Sequence, residues 1–113
     1  MSNNHCKTEW QKVRNKLLGD NAVVELAEGD RMTVCKYTIP EKVRIQPHSH
    51  GYEQIIYVIQ GEMAFTVDGE EIIMKAGDVQ VILSNIEHSA DIYGVPFQSF
   101  ETYYPVRTDL LQE

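Results

Sequence analysis

From residue 22 onward the chain is a succession of short runs rich in Val, Ile, Tyr and Thr, each closed by residues that turn the backbone. The runs are Ala22 to Ala27, Met32 to Ile39, Tyr52 to Gln60, Met63 to Val67, Glu71 to Met74, Val79 to Leu83, Ser89 to Tyr93 and Phe97 to Tyr104. β-Branched and aromatic side chains pack well on a pleated surface, so each run favours an extended strand. Between them stand Asp20-Asn21, Glu28-Gly29-Asp30, Gln60-Gly61, Asp68-Gly69, Ala76-Gly77-Asp78 and Gly94-Val95-Pro96, all with turn chemistry. Asp68-Gly69 is the strongest, because a two-residue hairpin needs positive φ and glycine supplies it without steric cost. Nothing after residue 20 asks to be a helix. Many short strands at close spacing predict an all-β protein, an antiparallel sandwich or a small β-barrel. Thr8 to Leu18 reads equally as a helix opened by Thr8 and Gln11 or as a strand through Val13, and its type stays open.

Charge and length narrow the function. A chain of 113 residues predicts one domain, 1–113, with a single modest core. A net charge of −7 argues against general binding to nucleic acid, since phosphate contacts need a surplus of Lys and Arg. No apolar stretch approaches the roughly 20 residues that span a bilayer, and the opening MSNNHCKTEW lacks the apolar segment of a signal peptide. The expectation is a cytoplasmic protein without membrane contact. In such a compartment Cys6 and Cys35 stay reduced, with Cys35 a small buried hydrophobe in a strand. His5 beside Cys6 looks like a metal pair, but a chain terminus is a poor place to hold one.

The histidines are the chemical signal. Pro47 to Glu62 reads PHSHGYEQIIYVIQGE. In an extended chain alternate side chains share a face, which puts His48 and His50 together, with Gln54, Ile56 and Val58 following on that side and Glu53 turned away. His88, in AGDVQVILSNIEHS, is the candidate to meet them from a distant strand. Three imidazoles and a side-chain oxygen suit a divalent transition metal (Zn, Ni, Mn, Fe, Co or Cu) and leave positions open for substrate or water. An isolated histidine, by contrast, is more often a surface residue or a satisfied core one.

The same segment resembles the first motif of cupins, a family of small β-barrels with a jelly-roll arrangement. His48, His50, position 54 and Gly61 fit its spacing, and Gly77, position 83 and His88 fit the second motif. The resemblance implies the barrel and the metal site. The chain departs from the pattern at Gln54 where the family usually has Glu, Leu83 where it has Pro, Asn85 where it has Gly and Ile92 where it has Asn. Asn85 is a mild change, since Asn tolerates left-handed backbone. Gln54 bears on the chemistry: with neutral donors throughout, a divalent ion keeps its full charge, which favours Lewis acidity over redox cycling.

The tail FQSFETYYPVRTDLL resembles the end of one cupin subgroup, the pectin-degradation proteins, in the spacing of Glu101, Tyr103, Pro105 and Arg107. That resemblance implies opening of the ring of 4,5-unsaturated uronates to 5-keto-4-deoxyuronate. Glu101 would move a proton, Arg107 would grip the substrate carboxylate, and Tyr103 would lie against the sugar. Glu101 stands where the subgroup has Asp and Tyr103 where it has Phe. The plain alternatives are a surface Arg107 paired with Asp109 or Glu101, and ordinary strand packing for Tyr103 and Tyr104. A sugar-binding module without turnover and an oxygenase or lyase on another small substrate are the competing functions. A homodimer is expected from the family and from the need to cover open β-edges.

Overall fold

A computed structural model of the chain describes residues 7–107. His5, Cys6 and Asp109 lie outside that range. Among the described residues there are eight strands: β1 (Gln11–Val13), β2 (Val23–Glu28), β3 (Thr33–Ile39), β4 (Val43–His48), β5 (Glu53–Val67), β6 (Glu70–Lys75), β7 (Val79–Ile82) and β8 (His88–Tyr104). All pairings are antiparallel. The ambiguous opening segment resolves into both of its readings in miniature, a three-residue strand and a single 3-10 turn at Lys16–Leu18 capped by the Asn15 side chain.

Two long strands organise the rest. β5 has 15 residues and β8 has 17, and they stay paired from Glu53↔Tyr104 to Val67↔His88. The first half of β5 lies between β7 and the last half of β8, which pairs in turn with β3. The second half of β5 lies between β6 and the first half of β8, which pairs with β4. The halves form two faces of one jelly roll, with the core between them. Gln60-Gly61 and Gly94-Val95-Pro96, which read as breaks between strands, are therefore bends inside strands. Register shifts between Val58 and Met63 mark the place. The sequence reading also lacked β4, whose run Arg44-Ile45-Gln46-Pro47 alternates too weakly to declare itself.

Alternation then sorts the side chains. In β3, Thr33, Cys35, Tyr37 and Ile39 are buried while the residues between them are only half-buried. In β5, Gln54, Ile56 and Val58 are buried and Glu53, Ile55 and Tyr57 are exposed, as the parity predicts. Cys35 is fully buried in β3, the small hydrophobe its position in a strand predicts. The Asp68-Gly69 hairpin forms with both residues at positive φ, 51° and 81°.

Gly61 is where the bend is made. Its φ is +88°, and a Cβ there would collide with the Gly94 carbonyl oxygen and come within 2.8 Å of the Pro96 oxygen and 2.9 Å of the Phe97 Cα. Gly69 has a similar φ of +81° with open space around it. Gly61→Ala is expected to cost about 2–3 kcal/mol in urea denaturation, against about 1 kcal/mol for Gly69→Ala. Equal costs would show that the close backbone approach at Gly61 carries no special constraint.

Candidate metal centre and active site

The pairing of β5 with β8 sends residues from both halves of the barrel into one cavity of about 340 Å³. His48, His50, Gln54, His88, Glu101, Tyr103 and Arg107 all line it. His48 closes β4, and its Cα partner across the ladder is His88 at the start of β8. His50 follows in the loop before β5. That loop is fastened by the turn after β7, where the Asn85 N–H donates to the His50 carbonyl at 2.7 Å and Ser84 Oγ to the Gly51 carbonyl at 2.9 Å. Asn85 takes the left-handed conformation at φ 64°, which accounts for glycine at this place in the motif.

Each imidazole is oriented by its own backbone. Nδ1 of His48 bonds the Gln46 carbonyl at 2.9 Å, Nδ1 of His50 the Tyr52 carbonyl at 3.1 Å, and Nδ1 of His88 the Ile86 carbonyl at 2.9 Å. A carbonyl only accepts, so each Nδ1 carries the proton and each Nε2 keeps a lone pair. One ligand atom from each ring lies within 4.8 Å of the others. Burial lowers the pKa of His50 and of His88, while the Tyr52 and Ile86 carbonyls work against the shift. Both rings are therefore neutral near pH 7, the form that ligates a metal.

Gln54 completes the set. Its Nε2 donates to Glu101 Oε1 at 2.7 Å and reaches the Tyr103 hydroxyl at 3.4 Å. Its Oε1 is buried without a hydrogen-bond partner. The same side chain raises the proton affinity of His50, as an acceptor on that side of the ring does. A buried amide oxygen normally finds a donor. Three imidazole lone pairs and an orphaned oxygen are a donor set that fits a divalent transition metal, and together they could hold one.

Beside this cluster lies a chain of hydroxyls that ends on a carboxylate. Glu101 Oε1 accepts from Gln54 and, at 3.1 Å, from the Tyr103 hydroxyl, while Oε2 accepts from Ser99 Oγ at 2.8 Å. The Tyr103 and Tyr37 hydroxyls are 2.7 Å apart. Burial raises the Glu101 pKa, partly offset by these bonds and by Arg107. Burial also holds both tyrosines well above their ordinary range, so they remain donors. The Arg107 N–H donates to Thr33 Oγ1 at 2.9 Å, and its guanidinium carbon sits 4.6 Å from the Tyr103 ring centroid and 5.2 Å from that of Tyr52.

Tyr103 is thus buried and part of the site's hydrogen-bond network, beyond plain strand packing, while Tyr104 points outward. Sequence reasoning missed Tyr37, Ser99 and Tyr52. The signal for the first two was their parity: Tyr37 shares a face with Cys35 and Ile39, and Ser99 with Phe97 and Glu101. A polar atom on an inward face needs a partner: Tyr37 finds the Tyr103 hydroxyl and Ser99 finds Glu101.

A model of the cupin domain matches residues 36–94, more than half of the chain. The chain belongs to the cupin family. This cupin is 28% identical over 108 residues to the pectin degradation protein KdgF of Dickeya dadantii, with 93% of each chain covered. Among solved structures, KdgF from Halomonas sp. superposes with a TM-score of 0.75 at 22% identity, covering 90% of each chain. An RmlC-like cupin from Shewanella frigidimarina also gives a TM-score of 0.75, at 20% identity and 95% and 96% coverage. Both superpositions establish the jelly-roll barrel.

The Tyr37 hydroxyl supports its neighbour directly. Tyr37→Phe is expected to cost about 1 kcal/mol, read as a lower urea midpoint at unchanged m-value. An unchanged midpoint would show that the hydroxyl pair contributes nothing to stability.

Proposed function

We propose that this cupin is a metal-dependent enzyme that opens the ring of 4,5-unsaturated uronates, released from pectin or alginate, to 5-keto-4-deoxyuronate. The observation that carries the reading is the convergence of His48, His50, His88 and Gln54 with Glu101 and Arg107 on one cavity. The relationship to a pectin degradation protein over 93% of the chain supports the choice of substrate.

In this reading His48, His50, His88 and Gln54 are the metal ligands. A divalent cation held by neutral donors supplies Lewis acidity toward a ring or hydroxyl oxygen of the sugar. The remaining work falls to the protein's own groups. The reaction is an isomerisation: the C1–O5 bond breaks as the C1 hydroxyl loses its proton, and C4 gains a proton as the enol becomes the C5 ketone. Glu101, its pKa raised by burial and held back by its hydrogen bonds and Arg107, is the group placed to take and return a proton. Arg107 presents a fork that suits the substrate carboxylate, with its guanidinium held over the Tyr52 and Tyr103 rings. At a net charge of −7 the protein repels an anion at long range, so this attraction has to be local.

We further propose a homodimer. Ile55 and Tyr57 of β5, Val79 and Val81 of β7, and Phe100 and Tyr104 of β8 stand exposed on adjoining strands, with Trp10 stacked against Phe100 at 6.5 Å between centroids. These seven exposed apolar side chains on adjoining strands form a contiguous outer patch of the kind that marks an interface. Glu53 opposite Tyr104 and Lys36 opposite Phe100 carry the charges beside this face; between them it is apolar, and a second copy suits it because two acidic molecules can meet there.

Incubation with a 4,5-unsaturated galacturonate, following loss of the conjugated double bond, tests the activity. Chelator-sensitive loss faster than the spontaneous reaction is expected. Saturable binding with an unchanged ligand by NMR would instead make the protein a binding module, and iron-dependent oxygen uptake would make it an oxygenase. Arg107→Lys keeps the charge and loses the fork, so KM should rise at least about tenfold with metal content unchanged; an unchanged KM would remove Arg107 from substrate binding. Light scattering should give twice the chain mass, and Val81→Lys should halve it. A monomeric native protein would overturn the dimer.

A further inference from the structure

We propose that Gln54 and Glu101 act as a matched pair, in which Glu101 decides which end of the Gln54 amide faces the three histidines. It follows that a carboxylate at position 101 makes Gln, rather than the Glu of the usual cupin motif, the side chain that works at position 54. The inference rests on the metal reading above but concerns how the site is set, independently of any substrate.

The hydrogen bonds are directional, and every one of them runs toward Glu101. Ser99 Oγ donates to Oε2 at 2.8 Å, and the Tyr103 hydroxyl donates to Oε1 at 3.1 Å. Tyr103 has then given its only proton, so the contact of 2.7 Å with Tyr37 must be a donation from Tyr37. The Gln54 amide nitrogen faces the same way, donating to Glu101 Oε1 at 2.7 Å and lying 3.4 Å from the Tyr103 oxygen. Nothing on this side of Gln54 can donate to it. Its oxygen is therefore turned away, and it is left buried with no partner in the protein.

Reversing the amide would set oxygen against carboxylate oxygen at a contact that is now a strong hydrogen bond. It would also aim N–H groups at the cation that the imidazoles hold. A glutamate at position 54 has the same defect without any rotation, since both of its ends are acceptors and one must meet Glu101. Like charges at that separation in a buried site are strongly unfavourable. The negative charge that other cupins place among the ligands is here kept one residue back, on Glu101, and reaches the ligand set through an N–H. Glu101 is in this respect a positioning residue, in addition to its proposed contact with substrate.

A double-mutant cycle with Zn²⁺ and Ni²⁺ titrations read by calorimetry tests the pairing without an assay of turnover. In the native background Q54E should weaken ion binding at least about tenfold, although a carboxylate is the better donor. With E101Q present the same change should leave affinity equal or improved, because the amide at 101 now donates to the carboxylate at 54. E101Q alone should bind the ions nearly as tightly as the native protein, whereas E101L, which offers the amide no acceptor, should lose about ten- to a hundredfold. Metal-free melting should follow the same order, with Q54E lowered and Q54E/E101Q recovered. If Q54E does not fold, recovery of folding in the double variant reads the same coupling, and its failure to recover overturns the pairing. Tighter binding by Q54E in both backgrounds, or native affinity in E101L, would also overturn it. A native protein that binds neither ion would remove the metal reading and this inference together, whereas native binding with additive effects would remove this inference alone.

Discussion

The close passage of β5 and β8 backbones at Gly61 is the constraint on which the rest of this molecule depends. Because no side chain intrudes there, two long strands stay hydrogen-bonded while crossing from one half of the barrel to the other. That continuity brings the ends of the ladder into a single cavity. Gln54 pairs with Tyr103 at one end and Val67 with His88 at the other, yet Gln54, Tyr103 and His88 line the same space. The β4–β8 ladder then adds His48 opposite His88. A cluster drawn from such distant residues needs a stiff frame, and a long antiparallel ladder is one.

Polarity within the cavity is as ordered as the backbone. Three Nδ1 protons are committed to carbonyls, the hydroxyls of Tyr103 and Ser99 to Glu101, and that of Tyr37 to Tyr103. What remains uncommitted is a group of lone pairs on one side of the cavity. Satisfied networks of this kind hold a single arrangement, because any local reversal leaves a buried polar atom without a partner. The chain thereby gathers electron-pair donors beside a carboxylate and a guanidinium, a combination suited to a small, oxygen-rich anion.

Much of this was legible in the sequence, and the exceptions have physical causes. The hairpin at Asp68-Gly69 and the inward parity of Gln54, Ile56 and Val58 followed from local backbone rules, which tertiary contacts did not override. The three histidines were found by spacing and motif, and their convergence needed only the expected barrel. Gly61 and Gly94-Val95-Pro96 carry the residues of a turn, and nothing local distinguishes a turn from a bend in a strand that keeps its partner. β4 was lost because its residues from Arg44 to His48 lie at an edge, half-buried or exposed, which blurs the alternation. The contacts of Tyr37 with Tyr103 and of Gln54 with Glu101 depend on which strands are neighbours, and strand order is not written in any one segment.

The central claim is that His48, His50, His88 and Gln54 hold a divalent metal through three ring nitrogens and one amide oxygen. X-ray absorption at the zinc edge of the zinc-loaded native protein, compared with its Gln54→Leu variant, tests that claim most directly. The account expects three imidazole nitrogens with oxygen completing the shell, and a changed oxygen shell with all three imidazoles retained in the variant. A spectrum with fewer than three imidazoles, or one that the variant leaves unaltered, would contradict it.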